Sequence, residues 1–120
     1  MNGYYDLTRE WLENEVAAAR KAEASGDFEE AFRRLERAHV VGQRSTRHHV
    51  RIHWKMFKWA LRRSDLREMA GQVTRLIGAA VVTAWGWIPI GNTGGSNISP
   101  FKPMPIPGDL ATIIMEATRR

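Results

Sequence analysis

Three histidines of this chain fall on the predicted inner faces of two consecutive helices. His39 lies on a helix predicted over 28–40, and His49 and His53 lie one turn apart on a helix predicted over 46–63. Side chains at positions i and i+4 have Cβ atoms ~5–6 Å apart, and two imidazoles at that spacing can reach one ion at ~2.0–2.1 Å each. A third imidazole from the neighbouring helix would complete a set of ligands on one side of a metal ion.

Glu15 is the candidate fourth member of this site, as a ligand or as a partner of a ligand. It falls near the middle of the apolar arc of the first predicted helix, 7–25, where a carboxylate needs a counter-charge, a proton or a metal. The chain has no cysteine, so histidine and carboxylate are the ligands available. Such a set suits one transition-metal ion of the Zn, Fe or Mn class, and a metalloenzyme if a coordination position stays open.

The same residues also permit a metal-free interpretation. Glu15 would then accept hydrogen bonds from histidine N–H groups, because a buried polar group without a partner costs ~1–3 kcal/mol. The sequence Glu36-x-x-His39 resembles half of a carboxylate-bridged di-iron site, but the second such motif that this centre needs is absent. The residues therefore leave two alternatives, a mononuclear metal site and a buried polar network.

The spacing of apolar residues predicts one all-α domain over residues 1–120, arranged as a four-helix bundle with a short C-terminal helix. Helices are predicted over 7–25, 28–40, 46–63, 66–85 and 109–119, with an ordered Gly/Pro-rich loop over 88–108. Helix 4 and the C-terminal helix carry more apolar surface than four short helices can cover. A homodimer is therefore predicted.

The turn between the first two helices carries clear end signals. Gly26 permits the left-handed backbone that ends a helix, and Asp27 is an N-cap residue with Glu30 at the capping-box position. Segment 22–38 resembles the turn and second helix of a tetratricopeptide unit. A solenoid needs about three such repeats, so this single copy predicts a helical hairpin and not a peptide-binding array.

The net charge of +5 is concentrated in the middle of the chain, where residues 44–75 hold nine basic and two acidic side chains. On the third helix the basic residues form a cationic stripe, consisting of Arg44, Arg47, Arg51, Lys55, Lys58 and Arg62. This stripe would fit an acidic protein or a nucleic acid. A metal-free interaction module is therefore the alternative function. His48 falls near the edge of the stripe and is predicted to be solvated.

A glycine-rich segment late in the chain is a second candidate site. Gly91, Asn92, Thr93, Gly94 and Gly95 could bind an anion or substrate through backbone N–H groups. The segment lacks the lysine of a P-loop and does not match the dinucleotide-binding pattern. A plain tight loop is the alternative interpretation.

The uncharged run over residues 76–101 does not predict a membrane span. Its apolar part, 76–90, is shorter than the ~20 residues that cross a bilayer, and it contains two glycines and a proline. The first ten residues lack the basic and apolar regions of a signal peptide. We expect no transmembrane segment and a cytoplasmic location.

Several runs together resemble a small bacterial family, domain-of-unknown-function family 3703 (DUF3703). The runs are Leu35-Glu-Arg-Ala-His39, His49-Val-Arg-Ile-His53-Trp, Gly91-Asn-Thr-Gly-Gly95 and Ser99-Pro-Phe-Lys-Pro-Met-Pro-Ile-Pro107. The resemblance covers nearly the whole chain and implies a bacterial, single-domain helical protein. It implies no activity, substrate or ligand, so the metal hypothesis depends on the histidines alone.

Overall fold

A computed structural model describes residues 3–84 and 103–119, and all secondary structure in these ranges is helical. The helices are α1 (Tyr4–Ala24), α2 (Phe28–Gly42), α3 (Thr46–Arg63), α4 (Leu66–Ala84) and α5 (Gly108–Arg119). The predicted all-α fold is confirmed. The first helix begins three residues earlier than predicted, and the second extends two residues further.

Local signals in the sequence account for the helix ends. Gly26 has φ +87°, and the Asp27 carboxylate accepts a hydrogen bond from the backbone N–H of Glu30 at 3.1 Å, so the predicted turn and N-cap are both present. Ser45 caps α3. Ser64 ends α3 with φ 56°, and Asp65 accepts from the N–H of Glu68 at 3.0 Å to start α4.

The helices pack in chain order, α1 on α2, α2 on α3 and α3 on α4, and α5 lies against α1 and α2. Their inward side chains form one buried cluster. Its largest fully buried apolar members are Leu12, Ile52, Met56 and Leu110. Burying each such side chain contributes ~1.5–3 kcal/mol, so the core holds α2 and α3 in a fixed relation.

The arrangement of α1, α2 and α3 is compatible with a helical hairpin followed by a third helix, but the tetratricopeptide likeness stays a prediction.

Within residues 3–84 and 103–119, no helix is long and apolar enough to cross a membrane. Most of the predicted ordered loop over 88–108 lies outside the described residues.

Candidate metal centre

Two adjacent helices bring the three predicted histidines together. His39 lies near the end of α2, and the short connection that ends at the Ser45 cap turns the chain back into α3. The first two turns of α3 therefore face the last turn of α2, and they carry His49 and His53. The exposed fractions of His39, His49 and His53 are 2, 7 and 2%.

The three imidazoles converge through their Nε2 atoms. Nε2 of His39 lies 3.1 Å from Nε2 of His53 and 3.1 Å from Nε2 of His49. Each histidine offers one ring nitrogen that could bind a metal, and these three nitrogens lie within 4.8 Å of one another. Among residues 3–84 and 103–119, this is the group of histidines and carboxylates that could hold a metal ion.

The two nitrogen separations that involve His39 fit a common ion. Two nitrogens each ~2.0–2.1 Å from one metal, at an angle between ~90° and ~109°, lie ~2.9–3.4 Å apart. The observed separations of 3.1 Å fall inside this interval. The nitrogens of the third pair, His49 and His53, lie within 4.8 Å of each other, so one octahedral or tetrahedral ion could bind all three once these two rings move closer together.

A relay of buried side chains from α4 fixes the orientation of His53. The Gln72 amide nitrogen donates to the Glu68 carboxylate at 2.6 Å, and the Gln72 amide oxygen lies 2.6 Å from His53 Nδ1. An amide oxygen only accepts, so His53 Nδ1 must carry the proton. Neutral His53 then presents the bare lone pair of Nε2 to the other two rings.

Burial lowers the pKa values of two histidines of the cluster. Desolvation, with the charge of the neighbouring His53 as a smaller cause, lowers the pKa of His49 to about 3. Desolvation also lowers the pKa of His53 to about 4, against the opposing effect of the hydrogen bond that His53 donates to Gln72 and with a further lowering by the charge of Arg75. Both imidazoles are therefore neutral at pH 7, which is the state that ligates metals.

Without a cation, the two contacts of His39 Nε2 cannot both be linear hydrogen bonds. If His39 Nε2 carries a proton, it can donate along one 3.1 Å contact, and the other contact then lacks a well-directed hydrogen bond. If His39 Nε2 is bare, its lone pair faces the lone pair of His53. One ion at the centre would accept all three lone pairs and remove the conflict.

Glu15 does not join the cluster. Its carboxylate is buried, but it lies 3.3 Å from the guanidinium of Arg34 and 3.4 Å from that of Arg37. The two arginines of α2 supply the counter-charge that a buried carboxylate requires. The predicted roles of Glu15, as fourth ligand or as hydrogen-bond acceptor for the histidines, therefore have no support from the position of its side chain.

Sequence reasoning missed Gln72 and Glu68, which take the orienting role first assigned to Glu15. The available signal was the position of Gln72, which is one turn from Met69 and Leu76 on the apolar face of α4. A glutamine on such a face needs buried partners, and a neighbouring histidine is one that can accept or donate.

The prediction that His48 is solvated is wrong. The residue is fully buried, and its Nε2 lies 3.1 Å from both the Thr8 hydroxyl and the Tyr5 carbonyl oxygen. Its ring stacks on Tyr5 at 4.3 Å between centroids. The reason is the early start of α1, whose first turns cover this position. Burial lowers the pKa of His48, as it does for His49 and His53. His48 lies in a different part of the core from the histidine cluster.

The cationic stripe on α3 faces α1 and is partly neutralised there. Arg51 donates to Glu13 at 2.5 Å, and Arg62 forms an ion pair with Glu23. The guanidinium of Arg47 lies over the Tyr5 ring at 4.0 Å. These contacts weaken the interpretation of the stripe as a surface for an acidic protein or nucleic acid. The second predicted site, Gly91–Gly95, lies outside the described residues.

Comparison with known proteins identifies the family. The family described as "Protein of unknown function (DUF3703)" matches residues 6–114, which is most of the chain. The chain belongs to the DUF3703 family. No curated protein and no solved structure gave a significant match. The matched part of this DUF3703 chain contains α2, α3 and α4, and therefore all three histidines and the Glu68–Gln72 relay.

Proposed function

We propose that this chain binds one transition-metal ion through Nε2 of His39, His49 and His53. The observation that carries the proposal is the pair of 3.1 Å contacts that share His39 Nε2 in a buried cluster. A cation could accept the three Nε2 lone pairs together, whereas the two contacts of His39 Nε2 cannot both be linear hydrogen bonds. The relay from Glu68 through Gln72 supports the same function, because metal-binding histidines usually donate their other N–H to an oriented acceptor.

The donor set narrows the class of ion. Three neutral imidazoles suit Zn²⁺, Co²⁺, Ni²⁺ and Cu²⁺ better than Mg²⁺ or Ca²⁺, which prefer oxygen ligands. Fe²⁺ and Mn²⁺ bind nitrogen sites more weakly in the usual order of affinities. We infer that zinc or a neighbouring late transition metal is the preferred ion, within the class predicted from the sequence.

A titration of the purified, untagged chain tests the proposal. Protein stripped with EDTA and then dialysed should take up one equivalent of Co²⁺ and develop the visible absorption of cobalt bound to nitrogen ligands. Zn²⁺ should displace the cobalt and remove the absorption. A chain that binds neither ion at micromolar concentrations, or that binds several equivalents without saturation, contradicts the proposal.

A metalloenzyme is the narrower form of this proposal. Catalytic zinc sites have three protein ligands and a fourth position for water or substrate, and the histidines supply three. The same cobalt titration tests whether the site is catalytic. An exchangeable fourth ligand would make the cobalt spectrum shift when azide is added. A spectrum that azide leaves unchanged would favour a structural, storage or sensing site.

Removing the amide that orients His53 should weaken metal binding without abolishing it. We expect Gln72→Ala to lower the affinity for Zn²⁺ by ~10–100-fold, the usual effect of losing a residue that holds a ligand in place. Competition with a chromophoric chelator measures the change. Gln43→Ala is the matched control, since Gln43 is also a buried glutamine and its Oε1 has no hydrogen-bond partner. An equal loss in both variants would mean that the relay does not orient the site.

We also propose that the chain forms the homodimer predicted from the sequence, because α4 exposes apolar side chains. Leu66, Val73 and Ile77 are exposed on α4, with exposed fractions of 75, 48 and 70%, at a spacing that aligns them along one side of the helix. Sedimentation velocity at tens of micromolar protein distinguishes a monomer from a dimer. Finding only monomer at that concentration would contradict the proposed homodimer.

A further inference from the structure

A cavity separate from the histidine cluster lies between α1 and α3. The ion pairs Glu13–Arg51 and Glu23–Arg62 join these helices in matching order, so α1 and α3 run parallel on one side of α2. The space between the helices forms a cavity of about 560 Å³. This volume lies within the ~300–1,000 Å³ that is usual for small-molecule sites.

The walls near α2 are apolar. They include Val16 and Ala19 of α1 and Ala31 and Leu35 of α2. These four residues are each at most 5% exposed, and Phe28, which also lines the cavity, is only partly buried. An aliphatic chain placed here would lose contact with water and gain contact with these groups.

The mouth of the cavity carries cations. Arg20 from α1 and Lys55 and Lys58 from α3 line it, beside the Glu23–Arg62 ion pair, which also lines the cavity. None of the first three forms an ion pair with an acidic side chain within residues 3–84 and 103–119. The Nζ of Lys58 lies 5.9 Å from the centroid of the Trp54 ring. Three like charges at one opening repel each other, and an anion between them would relieve that repulsion.

We propose that this cavity binds a small anionic amphiphile, a molecule with one anionic head group and a short apolar chain. The head group lies among Arg20, Lys55 and Lys58, and the chain lies against the alanine-lined wall. The bridging ion pairs Glu13–Arg51 and Glu23–Arg62 stand about three helical turns apart along α1. They obstruct the path of a peptide running along the groove, which favours a compact ligand. The inference does not depend on metal binding.

Calorimetric titration of the full chain with decanoate, in the presence of EDTA, tests this site. EDTA prevents the carboxylate from binding to the chain through a metal, so failure here is distinct from failure of the metal proposal. We expect saturable 1:1 binding of decanoate and much weaker binding of decyltrimethylammonium, which has the same chain and the opposite charge. Backbone amide shifts should change most near Ala19 and Ala31.

Charge variants locate the head group. The double variant Arg20→Gln/Lys55→Gln should bind decanoate about tenfold more weakly, because two partly exposed charge contacts are lost. Arg9→Gln/Arg67→Gln is the matched control, since it removes two exposed cations that do not line the cavity. Equal binding of the cationic and anionic probes, equal effects of the two double variants, or tighter binding of an acidic peptide than of decanoate would overturn the proposal.

Discussion

The His49→Ala and His53→Ala variants are expected to bind Zn²⁺ at least ~100-fold more weakly than the wild type. Losing a residue that merely orients a ligand costs ~10–100-fold, and losing one of three ligands should cost more. His39→Ala should have the largest effect, because His39 Nε2 is the atom that contacts both other rings. Competition with a chromophoric chelator at pH 7 gives the three affinities.

His48→Gln is the control that separates metal binding from the loss of any buried imidazole. His48 is adjacent in sequence to His49 and is also buried, but its Nε2 contacts Thr8 and Tyr5 instead of the cluster. This variant should keep wild-type affinity for Zn²⁺ even if it is less stable. A variant of His49 or His53 that keeps wild-type affinity, or a loss in His48→Gln as large as in His53→Ala, would refute the assignment of the ligands.

Circular dichroism shows whether the ligand variants still fold. In the metal-free protein, each alanine variant removes a ring from a cluster whose nitrogen contacts cannot all be satisfied. Part of the usual cost of opening a cavity, ~2–5 kcal/mol for large side chains, should therefore be offset by relief of that conflict. Wild-type helical content together with lost metal binding would assign the effect to the ligands and not to unfolding.

Helical periodicity was sufficient to predict the histidine cluster, because it depends on two adjacent helices joined by a short turn. Positions 49 and 53 share a face by the i, i+4 rule, and the Ser45 cap sets where that face begins. The neighbouring helix is then forced to lie antiparallel, so the end of α2 meets the start of α3. None of these steps needs information about distant parts of the chain.

The errors arose where the outcome depends on contacts between distant residues. Periodicity placed Glu15 on an inner face, but it could not show that Arg34 and Arg37 of α2 lie opposite. The burial of His48 depends on Tyr5 and Thr8, about 40 positions earlier in the chain.

The orienting role of Gln72 was missed for a similar reason. It depends on how α4 packs against α3, which brings its amide to His53. A one-dimensional pattern shows that a polar residue is turned inward, but the partner of that residue is fixed only by packing.

Zinc should stabilise the wild-type protein strongly at neutral pH, and acid should remove the effect. An ion that binds only the folded chain adds ~4 kcal/mol to the free energy of unfolding when its concentration is ~1,000 times Kd. Binding requires neutral imidazoles, so protons compete with the ion. Because the folded-state pKa values of His49 and His53 are about 3 and about 4, we expect a large rise in the urea midpoint with Zn²⁺ at pH 7 that persists at pH 5, and a small rise at ~pH 3.5. The His53→Ala variant should show neither.

The metal-free protein should also lose stability as the pH falls, and the direction follows from the pKa shifts. The folded-state pKa values of His49 and His53, about 3 and about 4, lie below the ~6.5 of an unfolded histidine. The unfolded chain therefore binds protons first, and stability is lost as the pH drops from ~6.5 towards 4. For His53 alone the loss at pH 5 is on the order of 2 kcal/mol.

Urea unfolding of EDTA-treated protein at several pH values measures this loss, with His53→Ala as the comparison. The variant lacks the buried imidazole, so its stability should change less between pH 7 and pH 5 than that of the wild type. Parallel curves for the two proteins would show that the acid sensitivity comes from other groups. In that case the acid sensitivity could not be assigned to His53, and the proton competition predicted for the zinc effect would lose its support.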